Sequence, residues 1–158
     1  MKVIQTKLIT RDSKETIYLL RGLPGSGKTT WAYNNLEQLN AVRVNRDDIR
    51  SMLGRGYSTD LESDIVKPCV TDFVCQIIFG SDFNNVVVDS VNLKESDLQE
   101  WRENAIDWEV NLIEVFFNVP VETCIEQDSA RENPVGKEVI LKFKDLYEQA
   151  KEEISSRS

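Results

Sequence analysis

Gly22-Leu23-Pro24-Gly25-Ser26-Gly27-Lys28-Thr29 matches G-x-x-x-x-G-K-[ST] at every fixed position. Glycines there let the backbone curl with its N–H groups facing inward, around a group that a Cβ would obstruct. The motif carries weight only between a strand and a helix, and this chain supplies both. Thr16-Ile17-Tyr18-Leu19-Leu20-Arg21 is a short apolar, β-rich run ending at the first glycine. Trp31, Ala32, Leu36 and Leu39 then recur at helical spacing, which predicts a helix over Thr29 to Leu39. Such a helix aims its positive N-terminal end at the same spot. Gly22, Gly25, Ser26, Gly27, Lys28 and Thr29, with the adjoining Thr30, are therefore the expected contacts to the phosphates of ATP. Lys28 is expected on the β- and γ-phosphates, and the Thr29 hydroxyl on Mg²⁺.

The rest of the chain continues the alternation of strand and helix. Ala41 to Asn45 reads as a brief strand and Arg46 to Leu53 as a helix. Val66, Cys69, Val70, Phe73, Val74, Ile77 and Ile78 predict an amphipathic helix over Leu61 to Phe79. Val86-Val87-Val88-Asp89 is an apolar run ending in an acid, as in a strand covered on both faces. Leu98, Trp101, Ala105 and Ile106 mark another helix, Val110 to Asn118 a strand, and Val121 to Ser129 a helix. Val135 to Ile154 reads as one long closing helix. The whole predicts an α/β fold: three layers, with a mostly parallel central sheet flanked by helices. Its 158 residues suit one domain spanning 1–158. Residues 1–15 form an N-terminal extension, with Lys2 to Ile9 as an added edge strand before the turn at Arg11-Asp12-Ser13-Lys14.

Composition narrows the chemistry. Histidine is absent, so any proton transfer falls to a carboxylate, a lysine or water. Cys69, Cys75 and Cys124 are an odd number without paired spacing, and read as buried thiols of a reducing compartment. No apolar run is long enough to span a bilayer and the start has no apolar leader, so a cytoplasmic protein without a membrane partner is expected. Trp31 and Trp101 sit at helix-core spacing and read as packing residues, whereas Trp108 precedes a strand and fits packing or base stacking equally. Glu148, Glu152 and Glu153 read as a solvated helix face.

Asn45-Arg46-Asp47-Asp48-Ile49-Arg50 follows the second strand of the alternating pattern directly. Strand C-termini of a doubly wound sheet open onto the crevice where ligands sit. An aspartate there can take the proton of an attacking hydroxyl, and an arginine one turn on can grip an acceptor phosphate. The same charges also suit a plain helix start, with the acids favoured by the dipole and the arginine solvated. Beside a phosphate loop, the chemical reading is the stronger.

These elements together resemble the kinase domain of phage-type polynucleotide 5′-hydroxyl kinases, members of the P-loop kinase superfamily. The resemblance rests on Gly22 to Thr29 followed by Thr30-Trp31-Ala32, and on Val44-Asn45-Arg46-Asp47-Asp48-Ile49-Arg50. It continues through Val88-Asp89-Ser90-Val91-Asn92-Leu93, Val115 to Pro120 and Asp128-Ser129-Ala130-Arg131, covering roughly residues 16 to 150. It implies Asp47 as general base for the 5′-hydroxyl and Arg50 on the acceptor's nearby phosphate. It implies Arg131, in a small lid at about 128–137, as the cation facing the transferred phosphoryl. Asp89 and Asn92 are implied on the acceptor side, with Asp89 reaching Mg²⁺ through water. The implied activity is phosphoryl transfer from ATP to the 5′-hydroxyl of single-stranded DNA or RNA, as in nucleic-acid repair.

The chain departs from the pattern at Ser90 and Val91, where some relatives carry aspartate and threonine, and at Gln127, where some lids carry a second arginine. It also lacks the D-x-D-x-T motif of a 3′-phosphatase, so the resemblance implies a kinase alone. A formal charge of -8 sits awkwardly with a nucleic acid, but an end-directed enzyme needs few phosphate contacts. Arg46, Arg50, Arg55 and Arg131 are the expected local funnel. Two competing readings are a P-loop kinase of a small metabolite or nucleoside, and a nucleotide-dependent regulatory protein with little turnover.

Overall fold

Along β2 (Thr16–Arg21), Ile17 and Leu19 belong to one buried cluster and Leu20 to another. This is the period-two alternation of a strand with a core on each face. The computed structural model describes residues 2–157. Its five-stranded sheet runs β1-β5-β2-β4-β3, with β1 Lys2–Ile9, β3 Ala41–Val44, β4 Asn85–Val88 and β5 Asn111–Asn118. Neighbours β3-β4, β4-β2 and β2-β5 are parallel, and β1 closes the edge antiparallel to β5. The expected edge strand and mostly parallel sheet are both present.

Helix α1 (Lys28–Leu39), with α6 (Val121–Ser129), α7 (Lys137–Lys142) and α8 (Lys144–Arg157), packs on the face holding Leu20, Val87 and Phe117. Helices α2 (Arg46–Met52), α4 (Lys67–Gly80) and α5 (Glu95–Trp108) cover the face holding Leu19, Val86 and Val88. Trp101 is buried against Trp108, the last residue of α5, in an edge-on pair, and Trp31 meets Phe117 the same way. All three indoles therefore serve packing.

Five expectations need correction. The helix drawn over Leu61 to Phe79 is broken: a short turn α3 (Thr59–Leu61) and a π turn (Glu62–Val66) precede α4. Pro68 explains the break, since it cannot donate to residue 64 and its ring crowds that carbonyl, which a wider turn relieves. The buried row is Val66, Val70, Val74 and Ile78, strictly four apart, so Phe73 falls off it and is 46% exposed. Ile106 likewise lies outside the Leu98-Trp101-Ala105 stripe. The closing helix splits at Phe143, and its expected start at Val135 belongs instead to the preceding loop, because Gly136 adopts φ 97° and caps α7, which begins at Lys137. Cys124 is buried, but Cys69 and Cys75 are only half-buried.

One buried network connects the sheet to the site. The Arg21 guanidinium donates to Glu114 at 2.7 Å and to the carbonyls of Asn92 and Leu93 at 2.7 and 3.1 Å. Arg157 of α8 donates to the same Glu114 at 3.0 Å. Charges this deep persist only when paired and fully hydrogen-bonded, and here the pairing fixes the loop after β4.

Candidate active site

The loop between β2 and α1 needs its glycines for space. A Cβ on Gly22 would lie 2.8 Å from Ser26 Oγ and 2.9 Å from Phe117 Cβ. One on Gly25, at φ +82°, would lie 2.3 Å from the Cys124 carbonyl oxygen. The loop is thus pressed onto α6 and β5, and only glycine permits the approach. Lys28 is buried in the loop, its ammonium donating to the Leu23 carbonyl at 2.9 Å. Burial pulls its pKa down to about 8, opposed chiefly by the Asp89 charge. Ser26 Oγ is buried without a partner. An inward cradle, an unpartnered hydroxyl and a lysine resting on a carbonyl are the features expected of a site for a triphosphate's oxygens.

Thr29 donates its hydroxyl to Asp89 at 2.9 Å. Asp89, directly after β4, is buried and also accepts from Arg43 Nε at 2.7 Å. Among the described residues no three acidic or cysteine side chains cluster as metal ligands. A Mg²⁺ ion here would therefore lean on Thr29 and on phosphate oxygens, with Asp89 behind them, and that donor set suits a hard cation that keeps its waters. The Cys124 thiol below the loop is pushed up to about 11 by burial, so it is a packing group without thiolate character.

Two adjacent hollows meet over these residues. The first, about 360 Å³, is lined by the phosphate loop with Thr30, Asp89 and Arg131. The second, about 350 Å³, is lined by Arg46, Arg50, Lys67 and Lys94 among others. Asp47, Ser90 and Val91 line both. Asp47 is held at the junction by an ion pair to Arg50, one turn along α2. Asn45 caps that helix, accepting the Asp48 N–H at 2.9 Å, and so fixes where α2 begins relative to β3.

The structure therefore brings Lys28, Thr29, Asp47, Asp89 and Arg131 around one hollow, and Asp47 with Arg50 around the next. Asn92 departs from expectation: although its loop borders the second hollow, its side chain is buried, donating to the Leu20 and Ser90 carbonyls. It holds the loop's left-handed turn at φ 50°. Arg55 departs too, lining a separate surface depression rather than either hollow, and Lys67 and Lys94 supply the cations in its stead.

Three residues escaped the sequence reading. Arg43 spans Asp89 and Asp48, the latter at 2.6 Å, and its place inside a short apolar strand was the available signal. Glu62, in the π turn, accepts Arg50 Nη1 at 2.7 Å on both oxygens. Asp128, part of the resemblance's lid motif but given no role there, is buried at the start of the lid segment.

Residues 17–150 match the AAA_33 family, described as an AAA domain. A probable adenylyl-sulfate kinase of Pseudomonas aeruginosa is 36% identical over 115 residues, 68% of this chain and 50% of that protein. A chain of the Pnkp1/Rnl/Hen1 RNA repair complex superposes with a TM-score of 0.74 at 26% identity, over 88% of this chain and 46% of that one. The APS kinase CysC of Mycobacterium tuberculosis, with AMPPNP and APS, gives 0.58 at 20% identity over 75% and 70%, a likeness of fold alone. The chain spans about half the length of the curated relative it matches, and less than half of the RNA-repair chain. No helix among the described residues is long and apolar enough to cross a membrane. On the matched span, the five-stranded sheet and the built phosphate loop, the chain belongs to the AAA_33 family of AAA domains and has the P-loop kinase fold.

Proposed function

We propose that this chain transfers the γ-phosphoryl of ATP to the 5′-hydroxyl end of single-stranded DNA or RNA. The observation that carries the reading is the placement of Asp47, whose carboxylate stands where the phosphate hollow opens into the cation-lined one. A hydroxyl entering from the second hollow meets that carboxylate before it meets the γ-phosphorus. Asp47 accepts the hydroxyl proton as the new O–P bond forms, and the bond to the β-phosphate oxygen breaks to release ADP. Lys28 and Arg131 face the charge shared between the transferred group and the leaving oxygen. Thr29, with Asp89 through water, would hold Mg²⁺, which when bound supplies charge neutralisation to the phosphates.

Acceptor recognition in this reading falls to Arg50, whose guanidinium can take a neighbouring phosphate through two charged hydrogen bonds. Support also comes from the balance of charge. The second hollow carries four cations against three carboxylates, in a chain whose overall charge is -8. That local bias suits a short anionic strand end better than a long duplex contact. The likeness at 26% identity to an RNA-repair chain points the same way.

A second reading has its own observation. The 36% identity to a probable adenylyl-sulfate kinase favours a small anionic nucleotide as acceptor. One assay separates the readings: transfer of labelled γ-phosphate to 5′-hydroxyl DNA and RNA oligonucleotides, adenylyl sulfate, nucleosides and sugars. Label on the oligonucleotides is the expected result. Label on adenylyl sulfate alone would move the assignment to the second reading, and label on nothing would leave a nucleotide-dependent binding protein.

A further inference from the structure

We propose that Asp128 is a positioning residue that holds the lid loop closed and aims Arg131 at the phosphate hollow. The inference rests on the proposed duty of Arg131. Asp128 lies at the end of α6, 1% exposed, and its carboxylate reaches across the loop that follows. One oxygen accepts the Val135 N–H at 3.1 Å and an Arg131 guanidinium N–H at 3.3 Å. The other accepts the Gly136 N–H at 2.9 Å. The backbone adds a further tie, since Arg131 N–H donates to the Asp128 carbonyl at 3.0 Å.

This arrangement closes the segment between α6 and α7 into a loop around one buried charge. Backbone donors that would face water in an open loop are turned onto the carboxylate instead. Gly136 can present its N–H there because it takes φ 97°, a conformation other residues resist. The same aspartate touches the phosphate loop from below: a Cβ on Gly25 would lie 3.1 Å from Asp128 Cβ. Loop, lid and Arg131 thus converge on one side chain. Among the described residues the half-exposed Arg131 side chain has no other hydrogen-bond or ion-pair partner, so its aim depends on this anchor. A guanidinium displaced by about an ångström loses much of its effect on a transition state.

The test compares Asp128→Ala, Asp128→Asn, Arg131→Ala and the Asp128→Ala/Arg131→Ala double variant. The assay uses whichever of a 5′-hydroxyl oligonucleotide and adenylyl sulfate the wild-type chain phosphorylates. Asp128→Ala is expected to lower kcat about as much as Arg131→Ala, with KM for ATP changed less than about threefold. The double variant is expected to be no worse than Arg131→Ala alone, as for groups acting as a unit. Asp128→Asn keeps the shape but turns one acceptor into a donor, so it should lower kcat at least about tenfold while lowering the melting temperature less than Asp128→Ala. That variant decides the matter if Asp128→Ala fails to fold. An Asp128→Asn enzyme with wild-type kcat, or additive losses in the double variant, would overturn the proposal while leaving Arg131 in its place. Wild-type kcat in Arg131→Ala would remove the role of Arg131, and this inference with it.

Discussion

The Thr29 hydroxyl donates to the Asp89 carboxylate at 2.9 Å, joining the first turn behind the phosphate loop to the residue that follows β4. Asp89 is buried and its backbone N–H continues the sheet by donating to Val44 at 2.9 Å, so the carboxylate has little freedom to move. A carboxylate that orients a metal-binding hydroxyl normally tunes metal affinity. Asp89→Asn keeps the size and removes the charge. The expected outcome is a rise of about 10- to 100-fold in the Mg²⁺ concentration that gives half-maximal transfer. Titrating Mg²⁺ at saturating ATP checks it, and an unmoved midpoint would leave Asp89 as an anchor for Arg43 and nothing more.

Lys28 gives a pH dependence with a definite sign. Burial lowers its pKa to about 8 from 10.5, so above pH 8 the empty site holds a largely neutral amine. Bound phosphate charge favours the ammonium form, and binding at higher pH must therefore recruit a proton. ATP affinity should be level below about pH 8 and then fall by up to about tenfold per pH unit. The folded-state penalty of burying this charge is fully present below about 8 and is relieved as pH rises toward 10.5, so the nucleotide-free chain gains stability from this group over that window. Calorimetry at pH 9 in buffers of different ionisation heat should show proton uptake approaching one per ATP. Lys28→Ala should abolish transfer and flatten the slope; a wild-type chain with no slope would mean that Lys28 stays charged in the empty site.

The fold was legible because the signals were local. Strand and helix periods, the glycine loop and the polar start of α2 each act within a few residues, and the parallel pairing of the inner strands follows from their alternation, though their order does not. What escaped was pairing over distance. Glu114 sits inside the apolar run of β5, and such a charge announces a partner without naming it; Arg21 and Arg157 became the partners only in three dimensions. Glu62 reaches Arg50 through a π turn that ends two residues before Pro68, inside the span whose periodicity reads as one continuous helix. Asn92 misled for the opposite reason: an amide just after β4 looks available, whereas from its left-handed turn it points inward and donates to the Leu20 and Ser90 carbonyls.

Arg50 tests acceptor choice. It is shared between Asp47 and Glu62, with the Tyr57 ring 5.9 Å from the guanidinium carbon, so it is ordered but not enclosed. In the proposed reading an acceptor phosphate displaces one carboxylate, and a charged bidentate bond is strong enough to do so. A 5′-hydroxyl oligonucleotide, with a phosphate beside its terminal nucleoside, should far outperform the free nucleoside. Arg50→Ala should raise KM for the oligonucleotide at least about tenfold, the range for losing one charged hydrogen-bonding group, and leave KM for ATP nearly unchanged. Equal use of both acceptors, with Arg50→Ala harmless, would favour a small-molecule kinase.

Asp47 and Asp48 are adjacent in sequence and opposite in circumstance, and the pair gives the sharpest test of mechanism. Asp48 is turned to Arg43, which binds it at 2.6 Å on the far side of the α2 start, and it lines neither hollow. Asp47 lines both and is three-quarters exposed, with Arg50 as its neighbour. With histidine absent, the proposed mechanism gives the acceptor's proton to the carboxylate at that junction. Asp47→Asn retains the size and the helix start while removing the base, so the melting temperature and ATP affinity should hold. Transfer should fall by about 10² to 10⁴, the range of general base catalysis. Asp48→Asn should cost less than about tenfold, because it loosens an exposed ion pair and leaves the junction untouched. The comparison is made at saturating ATP and acceptor, so that kcat alone is read. If both variants lose little, Asp47 is only a helix-start acid and the hydroxyl is deprotonated by water or by the phosphate itself.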